Sequence, residues 1–102
     1  DARFNIVRGR LKLDQGNHKD AIEDYTKAIK IDPNPKYYKY RAGIKNELGD
    51  YQGAINDYSK AIEIYPNKAY LYNYRASAKR KLGDNEGADE DDRKAEKLKN
   101  IF

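Results

Sequence analysis

The chain has one histidine, His18, and no cysteine, which limits the catalytic chemistry it could perform. Zinc sites need several histidine, cysteine or carboxylate ligands, and nucleophilic catalysis needs a base beside the nucleophile. His18 alone supplies neither arrangement, so we expect it to have a packing or capping role. Gly9, Gly43 and Gly53 do not form a phosphate-binding loop, and for the first two we expect small size to aid helix contact. These observations predict a protein that is not an enzyme and that needs no cofactor or metal.

A run of four acidic residues at 89–92 is the remaining candidate for a cation site. Adjacent residues on a helix point in different directions, so four in a row do not converge on one ion. The alternative, which we favour, is that the run lies on a solvent-facing helix at the end of the array.

Three arginines recur along the chain, and an aspartate follows each of them by 16 residues. A lysine lies one helical turn after each arginine. The sets are Arg8, Lys12 and Asp24; Arg41, Lys45 and Asp57; Arg75, Lys79 and Asp91. We interpret each arginine and aspartate as an ion pair that joins two helices, in preference to a ligand site. Exposed pairs of this kind would add about 0–1 kcal/mol each.

The elements that must position these residues form a threefold repeat. Gly-Asn or Gly-Asp turns begin at Gly16, Gly49 and Gly83, which lie 33 and 34 residues apart. Glycine favours the left-handed conformation that ends a helix, and the following Asn or Asp can cap the next helix. Alanines and other apolar residues recur around each turn at helical spacing. The pattern predicts helical hairpins that stack because none has enough apolar surface to stand alone.

The second unit carries the clearest family signature, LGDYQGAINDYSKAIEIYP at residues 48–66. This segment resembles a tetratricopeptide repeat (TPR), and the resemblance covers nearly the whole chain. It implies an all-α, right-handed α-solenoid of three antiparallel helix hairpins, six helices in total. The repeats are expected at 2–34, 35–68 and 69–102. In this family the first helices line a concave groove that usually holds a peptide or partner protein.

The resemblance places basic and aromatic residues in that groove. Residues 36–48 hold four basic and one acidic side chains, whereas 51–65 hold one basic and two acidic. We therefore expect a groove that is basic and lined by tyrosine, and a partner that is an acidic extended peptide or protein. The candidate groove residues are Arg3, Arg10, Lys36, Lys39, Tyr40, Asn73, Tyr74, Arg80 and Lys81. Two alternatives remain: a structural module that self-associates and, less favoured, a nucleic-acid binder that stacks bases on Tyr40 and Tyr74.

Some family members hold chaperone C-termini in a clamp of lysine, asparagine and arginine side chains. Here Ile6 and Arg10 fill the clamp positions of the first repeat. Tyr40, Tyr70 and Tyr74 stand where the later clamp residues would be. The sequence therefore does not favour binding of a chaperone tail.

The two ends of the array differ. The third repeat has Asp89, Asp92 and Glu96 where the second has apolar residues, which predicts a solvent-facing cap. The first helix carries an apolar series that begins at Phe4, so upstream repeats or another copy are expected to stack there. The sequence contains neither a signal peptide nor an apolar run long enough to span a membrane. No membrane partner is expected, and the cytoplasm is the favoured compartment.

Overall fold

The computed structural model describes residues 1–101. The last residue of the range predicted for repeat three lies outside this part. Six helices follow one another: α1 (Ala2–Asp14), α2 (His18–Ile31), α3 (Pro35–Glu47), α4 (Tyr51–Ile64), α5 (Ala69–Lys81) and α6 (Asn85–Asn100). They form three hairpins, α1–α2, α3–α4 and α5–α6, and α2 packs on α3 as α4 packs on α5. The predicted all-α fold of six helices in three hairpins, with a superhelical arrangement, is confirmed. No described helix is long and apolar enough to cross a membrane.

The hairpin turns have the predicted geometry. Gly16, Gly49 and Gly83 have φ of 82°, 84° and 86°, which is the left-handed conformation available to glycine. Asp50 then accepts a hydrogen bond of 2.9 Å from the Gly53 amide at the start of α4. An equivalent cap begins α6, but Asn17 makes no such bond at the start of α2.

Small residues allow the helices of each hairpin to pack closely. Alanines at the two repeated positions of the second helices, such as Ala21 and Ala28, are buried. A methyl group on Gly9 would lie 3.2 Å from Cβ of Asp24. The apolar core is therefore thin and continues from one hairpin to the next.

All three predicted ion pairs are present. Arg8, Arg41 and Arg75 each donate a 2.7 Å hydrogen bond from Nη2 to their aspartate. The lysine one turn later adds a second cation at 3.0–3.2 Å. The expectation that the pairs are exposed is wrong, because the three aspartates are buried between the helices of each hairpin. Each carboxylate is therefore shielded from water and depends on its two cations.

The acidic run of α6 does not converge on one point. Asp91 faces Arg75 and Lys79 inside the hairpin. Asp89 and Asp92 instead bind Arg80 at 2.7 and 2.8 Å. The run therefore serves two separate ion-pair clusters.

Candidate functional site

A concavity lies where the first helices of all three hairpins meet. Its volume is about 480 Å³, within the usual range for ligand pockets. We call it the tyrosine cavity. It is lined by Arg10, Leu13, Asp14, Tyr25, Lys39, Tyr40, Gly43, Ile44, Glu47, Tyr58 and Tyr74. The first helices of all three hairpins therefore supply lining residues, as the family geometry implied.

Pairs of tyrosines join neighbouring repeats at the floor of this cavity. The Tyr58 ring stacks on the Tyr74 ring with centroids 5.7 Å apart, and Tyr25 lies 6.1 Å from Tyr40 at a tilt. Tyr25 and Tyr58 are buried, and burial raises the pKa of both phenols. The cavity thus offers neutral aromatic surface that is fixed by packing.

Lys39 is held beside the cavity by aromatic contacts. Its ammonium nitrogen lies 5.2 Å from the ring centroid of Tyr40 and 5.1 Å from that of Tyr70. A cation between two aromatic faces is stabilised by their quadrupoles. No salt bridge to Lys39 is found within residues 1–101, so its charge is available to a ligand.

The tyrosine cavity is less basic than the sequence suggested. Arg10 and Lys39 are balanced there by Asp14 and Glu47. Glu47 in turn binds His18 at 2.8 Å, which joins the second hairpin to the first. The expected basic character of the inner face is therefore not found at this cavity, where two cations face two carboxylates.

The excess positive charge lies in a smaller cavity beside Lys39, which we call the lysine cavity. Its volume is about 140 Å³, and it is lined by Pro35, Lys36, Lys39, Tyr65, Lys68, Tyr70 and Leu71. Three lysines and no acidic residue surround it. The amino-terminal end of α5, which begins at Ala69, adjoins it and adds a partial positive charge. This arrangement can receive a carboxylate.

The structure separates the predicted groove residues. Arg10, Lys39, Tyr40 and Tyr74 meet at the tyrosine cavity, and Lys36 lies at the lysine cavity. Lys81 lines a third hollow with Asn46, Glu47 and Tyr51. Arg3 and Asn73 line none of these cavities, so their part in binding stays a prediction.

Arg80 differs from the other predicted groove cations. Its guanidinium is already paired with Asp89 and Asp92 of α6, and these bonds raise its pKa. Within the described residues, neither Arg10 nor Lys39 has a salt bridge. The charge of Arg80 is therefore largely neutralised by these ion pairs within the third hairpin.

Sequence reasoning missed several residues that line the two cavities, among them Tyr25, Tyr58 and Lys68, and placed one glycine incorrectly. Tyr25 and Tyr58 recur on second helices, where a repeated aromatic position indicates packing, and Lys68 lies in a link between repeats. The expectation that Gly43 aids helix contact is wrong, because a methyl group there would meet no atom within 4 Å. Gly43 instead leaves open space in the tyrosine cavity.

A model described as the tetratricopeptide repeat matches residues 6–35, and a TPR repeat model matches residues 44–83. The chain belongs to the TPR family. These residues accordingly form a repeat domain of a protein-binding, non-catalytic family. No curated protein sequence matches the chain.

Several solved TPR structures superpose closely. The first TPR domain of Spaghetti (RPAP3), bound to the HSP90 peptide SRMEEVD, has a TM-score of 0.86 and 28% identity over 95% of this chain and 78% of that one. The second TPR domain of Spaghetti, bound to the same peptide, has a TM-score of 0.85 and 26% identity over 95% and 91%. MamA has a TM-score of 0.93 at 20% identity, which bears on the fold alone. The match to MamA covers 99% of this chain but only 60% of the MamA chain.

Proposed function

We propose that this TPR domain binds an extended acidic segment of a partner protein across the tyrosine and lysine cavities. An aromatic or large apolar side chain of the segment enters the tyrosine cavity. A neighbouring carboxylate reaches the lysine cavity. The observation that carries the proposal is the position of Lys39, which lines both cavities and has no acidic partner among the described residues.

The two cavities match two kinds of side chain. Tyr40 and Tyr74 are partly exposed above buried partners, so they present rigid aromatic area at small entropic cost. Lys36, Lys39 and Lys68 offer charge-assisted hydrogen bonds to a carboxylate. Because Asp14 and Glu47 balance the cations of the tyrosine cavity, a ligand gains little there from extra negative charge.

The solved relatives support an acidic ligand class. Both TPR domains of Spaghetti are bound to an HSP90 peptide with three acidic residues. In this chain tyrosines replace polar clamp residues, so we expect a peptide that pairs acidic residues with an aromatic one to bind better than SRMEEVD.

Fluorescence anisotropy with labelled peptides tests the proposal. The probes are Asp-Glu-Phe-Glu-Asp, its amide counterpart Asn-Gln-Phe-Gln-Asn, and SRMEEVD. We expect saturable binding of the first peptide that weakens as salt is raised, and weaker binding of the other two. Equal affinity for the acidic and amide peptides would contradict the assigned role of the lysines.

Matched variants locate the binding surface. Lys39→Glu should abolish binding of the acidic peptide, whereas Lys30→Glu, an exposed change on α2, should leave it unchanged. Arg80→Gln should have a smaller effect than Lys39→Glu because Arg80 is already ion-paired. Loss of binding in both lysine variants would indicate a general charge effect and not a site.

Binding to nucleic acid is the competing outcome. Single-stranded RNA titrated at low salt reports it, because phosphate binding is strongest there. Tight RNA binding that is lost in Lys39→Glu, together with no peptide binding, would replace the proposal.

A further inference from the structure

The lysine cavity carries more positive charge than one carboxylate can neutralise. Lys36, Lys39 and Lys68 line it, and its other lining residues are not charged. Within residues 1–101 the lysines that form salt bridges are others, at the hairpin ion pairs and on α4. A single aspartate or glutamate of a bound segment would therefore neutralise only one of the three ammonium groups.

Aromatic rings hold two of these ammonium groups in place without neutralising them. The Lys68 nitrogen lies 5.8 Å from the centroid of the Tyr65 ring. The Lys39 nitrogen lies between the rings of Tyr40 and Tyr70. A cation–π contact stabilises the cation but accepts none of its hydrogen bonds, so the N–H donors are left for another acceptor.

The equivalent link between the first two hairpins has a different composition. Asp32 follows α2 at the place where Tyr65 follows α4. Asn34 precedes α3 at the place where Lys68 precedes α5. The first link thus carries an acid and a neutral amide, whereas the second carries an aromatic ring and a cation. The cluster of lysines is therefore a property of the second link and does not follow from the repeat itself.

The start of α5 also lacks the side-chain cap of its counterpart. The Asn34 side-chain oxygen accepts a 2.9 Å hydrogen bond from the Lys36 amide at the start of α3. Lys68 has no acceptor in its side chain, and no side chain caps α5. The uncapped amides and the helix dipole add a partial positive charge beside the three lysines.

A phosphate group matches this arrangement better than a carboxylate does. A phosphorylated serine or threonine carries a charge of about −1.5 to −2 near pH 7 and three strong acceptor oxygens. It can neutralise most of the charge of two lysines and offer an oxygen to each of three, whereas a carboxylate has one charge and two oxygens. The cavity of about 140 Å³ is smaller than sites that hold a whole small molecule, so it suits one group of a larger ligand.

We propose that the lysine cavity is a phosphate subsite, and that phosphorylation of a serine or threonine in the partner segment strengthens its binding to this domain. This role rests on the proposed function, in which a partner segment lies across both cavities. An aromatic side chain of the segment occupies the tyrosine cavity, and the phosphate beside it binds Lys36, Lys39 and Lys68. Phosphorylation of the partner thereby regulates the interaction.

The surface next to the lysine cavity favours one phosphate on a peptide over a nucleic-acid strand. A strand carries a phosphate at every nucleotide and would bring further negative charge along the groove. Asp14 and Glu47 line the adjoining tyrosine cavity and would repel it. A peptide can instead present an uncharged aromatic side chain there.

Fluorescence anisotropy with matched peptides tests the phosphate subsite. The peptides are Asp-Glu-Phe-X-Asp, in which X is serine, glutamate or phosphoserine, and a second set in which X precedes the phenylalanine. In at least one set we expect the phosphoserine peptide to bind about tenfold more tightly than the glutamate peptide. Equal affinity of these two peptides in both sets would overturn the phosphate subsite but leave the binding of acidic segments intact. If no peptide bound, both proposals would be wrong.

A double variant shows whether the lysines are responsible. Lys36→Gln/Lys68→Asn removes two charges and gives α5 the residue type that caps α3, so circular dichroism should show a retained fold. This protein should bind the phosphoserine and glutamate peptides about equally. Lys30→Gln removes one charge from an exposed position on α2 and should keep the full preference. An unchanged preference in the double variant would place the phosphate elsewhere and overturn the proposal.

A competition experiment distinguishes the peptide from nucleic acid. Single-stranded RNA is added to the complex with the phosphoserine peptide at low salt, where binding to RNA is strongest. We expect little displacement of the peptide. RNA that displaced it and bound more tightly, with both interactions lost in the double variant, would make nucleic acid the occupant and overturn the proposal.

Discussion

Arg41 and Asp57 lie 16 residues apart in the sequence and form a two-point ion pair across one hairpin, with Nε and Nη2 donating bonds of 2.8 and 2.7 Å. The same arginine donates from Nη1 to Thr26 of the preceding hairpin. One side chain therefore joins both the two helices of a repeat and the two repeats. Arg75 repeats the arrangement with Asp91 and Ser59. These hydrogen bonds between neighbouring hairpins thus fix the position of one repeat on the next, in addition to the thin apolar core.

We expect Asp57→Asn to destabilise the fold by about 3–5 kcal/mol, the usual range when one partner of a buried ion pair is removed. The physical reason is that Arg41 and Lys45 would remain partly buried without a counter-charge. Urea unfolding followed by circular dichroism measures the change in free energy of unfolding. Asp20→Asn, an exposed change on α2, is the control and should have little effect. A loss below about 1 kcal/mol for Asp57→Asn would mean that the pair behaves as a surface pair.

The three arginines should not contribute equally. Arg41→Ala should cost more stability than Arg8→Ala, because Arg41 is more buried and also binds Thr26. Thermal unfolding of both variants in one buffer gives the comparison. Equal losses would show that the bond to Thr26 adds nothing to the pair with Asp57.

Acid should destabilise the array through the buried aspartates. Hydrogen bonds from Arg8 lower the pKa of Asp24. Burial by itself would raise the pKa of Asp91, but its bonds to Arg75 and Lys79 outweigh this and lower it. A lowered carboxyl pKa gives stability that is fully present above the unfolded value of 3.8 and is lost as pH falls through the folded pKa. The free energy of unfolding should be measured from about pH 6 to about pH 2, roughly two units either side of the unfolded pKa. We expect it to fall mainly below about pH 4. A constant value through this range would contradict the role of the pairs.

The hairpins and their ion pairs could be predicted from the sequence because the same residue spacing occurs three times. The hairpins and the Arg8–Asp24 type of pair follow from three copies of one spacing, since independent repeats confirm one another. Burial of those aspartates does not follow, because spacing fixes which residues face each other and not how deeply they lie. The pairing of Arg80 with Asp89 and Asp92 was missed because it occurs in one repeat only.

The functional surface was less predictable, because repeated spacing does not fix which side chains line a cavity. Tyr58 both packs and lines the groove, and a repeated aromatic position alone indicates only packing. Lys68 belongs to a link whose path is set by the neighbouring hairpins. Asp14 and Glu47 lie on the first helices of their hairpins, but whether their charge cancels that of Arg10 and Lys39 depends on side-chain directions.

His18 should titrate above the usual range for histidine. Both ring nitrogens face acceptors, Glu47 at 2.8 Å and the Gly16 carbonyl at 3.1 Å, and these bonds raise its pKa. A raised histidine pKa gives stability that is present below the unfolded value and lost as pH rises through the folded pKa. NMR titration of the His18 ring should show a lower pKa in Glu47→Gln than in the unchanged protein. An identical pKa in the two proteins would show that the contact with Glu47 is not maintained in solution.

Gly43 allows the tyrosine cavity to be filled without disturbing the core. Gly43→Ala should stabilise the protein by about 0.5–1 kcal/mol, because alanine loses less entropy in a helix and a methyl group meets no atom within 4 Å there. Gly43→Leu should fold equally well but block the acidic aromatic peptide, since its side chain would occupy part of the tyrosine cavity, which Gly43 lines. Urea unfolding and peptide anisotropy measured on both variants separate the two effects. Full peptide affinity in a folded Gly43→Leu protein would place the binding site outside the tyrosine cavity.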